Sequence, residues 1–114
     1  MTEVKYDGFR TMAYAEGREA TLVSRNGHVF SSRTYEPVRA AVAALGADVI
    51  LDGELVCLDP DGMPVFNPLM WRRGTVYFHV FDCLWLNGSL SKLPLLVRKQ
   101  ILRRLISGGT GRWC

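Results

Sequence analysis

The sequence predicts an α+β domain in which a twisted, largely antiparallel sheet carries packed helices. Three observations point there. Turn signals recur between short β-prone runs, the apolar period changes to a helical one near residue 36 and back again near 49, and an amphipathic stretch follows a long aromatic run. With 114 residues there is enough chain for one core and no more than one domain.

Residues 11–15 (TMAYA) and 19–24 (EATLVS) read as strands joined by Glu16-Gly17-Arg18. Asn26-Gly27 is a strong hairpin signal, with His28-Val29-Phe30 expected as the returning strand. The run EPVRAAVAAL, residues 36–45, has proline in its first turn, alanine-rich helix formers and Gly46 just past its end, which predicts a short helix. Val49-Ile50-Leu51 leads into a second run from Asp52 to Leu58, with Asp52-Gly53-Glu54 ending one β run and beginning another. Asp59-Pro60-Asp61-Gly62 then turns the chain toward a further strand at 63–66. Residues 75–86 (TVYFHVFDCLWL) predict a mostly buried strand ending near Asn87-Gly88. Strict alternation would put Tyr77, His79 and Phe81 on one face and Phe78, Val80 and Asp82 on the other. Leu95 to Ile106 predicts a helix with apolar positions 95, 101, 102, 105 and 106, and with Arg98, Lys99, Arg103 and Arg104 on the polar side. The tail GGTGRWC reads as frayed, and both ends look cut.

A hydrophobic share of 48% against 22% charged residues excludes a disordered tail. No apolar run approaches the roughly 20 residues of a membrane span, and no secretory leader is present, so no membrane partner and a cytoplasmic location are expected. Cys57, Cys83 and Cys114 lie outside any CxxC spacing and suggest buried thiols, neither a disulfide framework nor a zinc site. Charge is lopsided: residues 1–70 hold six Lys/Arg against ten Asp/Glu, a net −4, while residues 71–114 hold eight against Asp82 alone, a net +7. A basic half invites an anionic partner such as nucleic acid, or is simply a solvated helix face.

Within EVKYDGFR, residues 3 to 10, Lys5 stands beside an Asp7-Gly8 turn. A lysine amine attacks phosphorus only when neutral, so its ordinary pKa of about 10.4 must be lowered by desolvation or by nearby positive charge, which Arg10 could supply. Taken alone, K-x-D-G is an ordinary turn. Ser24-Arg25-Asn26-Gly27 adds an arginine suited to gripping a phosphate or ribose at the mouth of a tight turn. Asp52-Gly53-Glu54 presents a carboxylate beside a flexible glycine, and the aromatic face of residues 77–81 could stack on a base. His28 and His79 have no partner pattern and read as structural. Asp82 is expected to fix a turn or accept backbone hydrogen bonds.

In this order, K5-Y-D-G-x-R10, S24-R-N-G27, D52-G-E-L55 and F81-D-C-L-W-L-N-G88 resemble motifs I, Ia, III and IIIa of the covalent nucleotidyltransferases, most closely the ATP-dependent DNA ligases of the bacterial repair branch. The segment from Arg98 to Ile106 resembles one that follows motif IIIa there. The resemblance implies an adenylation domain of nucleotidyltransferase, ATP-grasp-like fold. It implies Lys5 as the nucleophile that attacks the α-phosphate of ATP and carries AMP to the 5′-phosphate of nicked double-stranded DNA. It further implies Glu3 at the adenine amino group, Arg10 at the ribose, Arg25 at nucleotide or DNA 5′-phosphate, Phe81 stacked on adenine, and Glu54 at the ribose or a metal ion. Magnesium, with manganese as a substitute, would neutralise the phosphates.

In such ligases motif IV (a Glu-Gly pair), motif V (paired lysines) and an OB-fold domain follow, and residues 89–114 contain none of these. The expectation is therefore residues 1–114 as part of an adenylation domain, unable to seal nicks by itself and with self-adenylation slow or undetectable. Two alternatives stay open: an RNA ligase or capping-type nucleotidyltransferase, and a noncatalytic remnant that binds nucleotide or DNA. The oligomeric state is not legible, although exposed sheet edges carry a risk of self-association.

Overall fold

In the computed structural model, residues 8–107 and 112–113 are described. β1 (Phe9–Glu16) and β2 (Glu19–Ser24) form the first hairpin, with Gly17 taking the left-handed φ of 62° that the tight turn needs. β3 (Val49–Leu58) lies on the other side of β1, and β4 (Thr75–Leu86) beyond it, so the sheet order is β2-β1-β3-β4 with every pair antiparallel. The antiparallel α+β expectation holds.

Alternation sorts the strand residues by face. Thr11, Ala13 and Ala15 of β1, Leu22 of β2, and Leu51, Leu55 and Cys57 of β3 are buried on one face. α1 (Glu36–Ala43) covers them with Val38 and Val42, both fully buried. Each such aliphatic side chain contributes about 1.5–3 kcal/mol relative to exposure. Proline in its first turn pre-sets α1, and Gly46 with φ 67° ends the connection after it. α2 (Leu95–Ser107) packs on β4 through Leu102, Leu105 and Ile106, whereas Leu95 is half exposed. No helix is long and apolar enough to cross a membrane among the described residues.

Several expectations change. His28-Val29-Phe30 closes the Asn26-Gly27 turn, with Ser24 N–H donating to the His28 carbonyl at 2.7 Å, but pairs only as an isolated Val23–Val29 bridge. The Phe30 N–H completes that bridge by donating to the Leu22 carbonyl at 2.9 Å, and its ring packs on Phe9 and Tyr35. Residues 63–66 likewise make one bridge, Leu58–Pro64, because proline has no N–H to extend a ladder. Asp52-Gly53-Glu54 is no junction: β3 runs through it without a break. A short 3-10 turn, Pro68–Arg73, which has no apolar period to betray it, is capped by the Asn67 side chain accepting from Leu69 N–H at 3.0 Å. β4 is less buried than expected, with Val76, Phe78 and Cys83 inside and most of the rest half-buried. Within the tail, Arg112 and Trp113 are not frayed: the Phe78 N–H donates to the Arg112 carbonyl at 2.7 Å and Trp113 packs on the core.

Two irregularities in β4 matter most. The ladder pairs Asp52 with Asp82 but Gly53 with Val80, leaving Phe81 as an extra residue, and a second shift leaves Leu84 unpaired. Asp82 is thereby moved off the face shared by Phe78 and Val80 and comes opposite Asp52.

Candidate functional site

On the sheet face away from α1, register brings Arg10 of β1 opposite Glu54 of β3, and Glu54 opposite His79 of β4. Gly53, between Asp52 and Glu54, faces the core. A Cβ there would lie 2.5 Å from the His79 carbonyl oxygen and 2.6 Å from the Phe78 ring. This glycine is not a flexible spacer; it lets Phe78 pack beneath β3 while its acidic neighbours occupy the open face.

Arg10 is held in a fork: its Nε donates to Asp52 Oδ1 at 2.9 Å and its Nη2 to Asp52 Oδ2 at 2.7 Å. The Asp52 carboxylate, with Glu54 adding a smaller field, pushes the Arg10 guanidinium further above its ordinary pKa. The guanidinium carbon sits 5.1 Å from the centroid of the Phe81 ring, a cation–π distance. The Phe81 ring meets His79 edge-on at 5.2 Å. The bulge at Phe81 places this ring beside Arg10 without spending a ladder position on it.

Arg10, Glu54 and Phe81 are thus brought together from three strands. Arg25 is exposed at the end of β2 and lines, with Arg10, Ser24, Gly27 and Asp52, an open cleft of about 420 Å³. Lys5 and Glu3 lie outside the described residues. Gly8, the glycine of K-x-D-G, is described, and a Cβ on it would come within 1.8 Å of the Leu55 carbonyl oxygen and 3.0 Å of Glu54 Cγ. The motif needs glycine for this close approach to β3.

Three readings are corrected. Arg10 is not a loose positive charge, because Asp52 already balances it. Asp52 itself was missed; its position diagonal to Arg10 follows from the β1–β3 register, which no local pattern reveals. Among the described residues Asp82 accepts no backbone hydrogen bond and fixes no turn. It accepts from Arg98 Nε at 3.0 Å, while Arg98 Nη1 donates to the Leu93 carbonyl at 2.7 Å, so Arg98 belongs to the α2–β4 contact and not to the solvated side of the helix. Cys57 and Cys83 are buried thiols whose pKa values burial pushes up; Cys114 is outside the described residues.

The model of the ATP dependent DNA ligase domain matches residues 1–114. The chain is 39% identical over 111 residues to the multifunctional non-homologous end joining protein LigD of Mycolicibacterium smegmatis, covering 94% of this chain and 14% of that protein. It is 34% identical over 121 residues to a DNA ligase of Natronomonas pharaonis, covering 94% of this chain and 22% of that one. Among solved structures, mycobacterial DNA ligase D complexed with ATP and MES superposes with a TM-score of 0.76 at 30% identity, over 97% of this chain and 38% of the other. The ligase domain of Mycobacterium tuberculosis LigD superposes equally well, over 98% of this chain and 38% of its own. The chain therefore spans a minor part of each relative's length. Sequence match and backbone likeness agree over almost all of it: the chain belongs to the ATP dependent DNA ligase domain family.

Proposed function

We propose that this chain forms the nucleotide-receiving part of an adenylation domain in an ATP-dependent DNA ligase that acts in DNA repair in the cytoplasm. The observation that carries the reading is the convergence of Arg10, Glu54 and Phe81 on one sheet face, beside a cleft whose wall includes Arg25 and Asp52. A flat aromatic next to a fixed guanidinium suits a base joined to a ribose, and an exposed arginine at the cleft mouth suits a phosphate. The ATP bound in the similar mycobacterial ligase supports this assignment.

In the reaction proposed, the neutral Lys5 amine attacks the α-phosphorus of ATP. The bond to the bridging oxygen breaks, pyrophosphate leaves, and the amine proton passes to solvent as the N–P bond forms. A 5′-phosphate oxygen at a DNA nick then takes AMP from Lys5, and attack by the 3′-hydroxyl expels AMP and joins the strand. Two residues, Tyr6 and Asp7, separate Lys5 from Gly8, so three steps of chain give a reach of roughly 10 Å at most, and Gly8 rests against Leu55 and Glu54. Asp52 holds the Arg10 fork in one orientation for the ribose, and Glu3 would meet the adenine edge.

Among the described residues no group of three His, Cys, Asp or Glu could hold a metal ion. Magnesium bound with substrate phosphates typically needs only one or two carboxylates, and Glu54, in no ion pair among the described residues, can serve as one. Such an ion supplies charge neutralisation at the phosphates.

Titration calorimetry of this chain with ATP tests the reading. Phe81→Ala should weaken binding about tenfold, and Arg10→Ala and Glu54→Gln should each weaken it measurably. Mass spectrometry after incubation with ATP and magnesium should find a slowly formed, acid-labile AMP adduct that Lys5→Ala abolishes. Binding without any adduct would favour the noncatalytic reading, and ATP affinity indifferent to all three site variants would sink the proposal.

A further inference from the structure

A second basic site lies on the other side of the sheet. Arg33 and Thr34 precede α1, Arg72 belongs to the 3-10 turn, Thr75 opens β4 and Arg112 lies beside Phe78; together they line a pocket of about 300 Å³. These segments are distant in sequence and are gathered around the buried Trp71, whose ring is 5.1 Å from Phe9 and 6.4 Å from Tyr35, and whose Nε1 donates to the Val65 carbonyl at 2.9 Å. Arg33, Arg72, Thr34 and Thr75 contribute to the described lining and no Asp or Glu does, while the Arg112 guanidinium carbon sits 5.9 Å from the centroid of the Tyr77 ring and brings only part of that residue to the pocket. None of the three arginines is in an ion pair among the described residues. It shares no residue with the cleft lined by Arg10 and Arg25.

Arg33 and Arg72 bring two like charges to one concavity that no Asp or Glu lines, an arrangement that an anion would balance. Guanidinium forks and hydroxyls are the donors that match a tetrahedral phosphate. We propose that Arg33 and Arg72, with the hydroxyls of Thr34 and Thr75, form a phosphate-binding site separate from the nucleotide cleft, taking either a backbone phosphodiester of DNA or a free polyphosphate such as pyrophosphate. The DNA form of this inference rests on the ligase reading; the free-polyphosphate form does not.

The experiment compares this chain with Arg33→Gln, Arg72→Gln and the pair combined, using Arg18→Gln as an unrelated surface control. Each is checked for fold by circular dichroism. Binding of a labelled duplex is followed by anisotropy across a salt series, and binding of pyrophosphate by calorimetry. If the ligand is backbone phosphate, the combined variant should bind duplex about tenfold more weakly at low salt, with the slope of log K against log salt reduced by about 1–2. Arg72→Lys should recover part of the affinity, since it restores charge without the fork. Loss confined to pyrophosphate would assign a free polyphosphate. Should the combined variant fail to fold, the single variants carry the same comparison, since Arg33 and Arg72 are both exposed. Wild-type binding of neither ligand, or equal binding by wild type and variants, overturns the proposal. ATP titration of the same variants should be unchanged, so failure of the nucleotide reading and failure of this one are read separately.

Discussion

Two arginine–aspartate pairs tie elements of this fold together, and they differ in where they stand. Arg10–Asp52 joins β1 to β3 on the open face, with side-chain exposures of 52% and 21%. Arg98–Asp82 clasps α2 to β4, with exposures of 18% and 17%. The ion types are the same but the geometry differs: Arg10 gives Nε and Nη2 to separate Asp52 oxygens, whereas Arg98 shares Nε between both Asp82 oxygens at 3.0 and 3.2 Å and sends Nη1 to the Leu93 carbonyl. Water competes freely for the first pair and poorly for the second. The first is suited to hold a side chain for a ligand, the second to hold a helix in place, because stripping one partner from a shielded pair leaves a charge that cannot be rehydrated without moving α2.

The largest difference should come from Asp82→Ala. Removing the carboxylate leaves Arg98 with the Leu93 carbonyl as its remaining acceptor among the described residues. A loss of about 2–3 kcal/mol is expected, measured as a lower urea midpoint. Hydrogen exchange should show the added opening concentrated in α2 and spare the β1–β2 hairpin. Equal weakening throughout would mean that α2 is not a separate clasped element.

Arg98→Lys should cost less, about 1 kcal/mol. Lysine keeps the charge opposite Asp82 but lacks the two separate nitrogens with which Arg98 reaches Asp82 and the Leu93 carbonyl together. If Arg98→Lys proved as damaging as Asp82→Ala, guanidinium geometry and not charge would dominate the contact.

Neither clasp was legible in the sequence, and the reasons are physical. Thr11-x-Ala13-x-Ala15, the Asn26-Gly27 turn and the proline-led helix at 36 announce themselves locally, since a buried face, a left-handed turn and a helix start each need particular residues at short range. The Asp52 partner of Arg10 depends on strand register, and the Asp82 partner of Arg98 on a bulge that displaces one side chain across β4. Arg98 sits among other basic residues in a helix, where its charge reads as solvated. Trp113 packs against Phe78 through a contact spanning 35 positions of chain. Of the site, Arg10, Glu54 and Phe81 could be named from motif order, but what they touch could not. Gly53 and Gly8 were visible as glycines, while the close packing that demands them needed the neighbouring strand.

The smallest effect on stability belongs to Asp52→Asn. This pair is more than half exposed at Arg10, so the loss should be under about 1 kcal/mol at low salt. Near 1 M salt the screening length falls to about 3 Å, and the difference from wild type should disappear, whereas the Asp82→Ala deficit should persist because its charge is shielded from the ions. Parallel urea titrations of both variants at the two salt concentrations therefore separate the pairs by response as well as size. A salt-resistant loss at Asp52 equal to that at Asp82 would make the open-face fork a structural clasp as well, and would remove the reason for assigning it to the ligand.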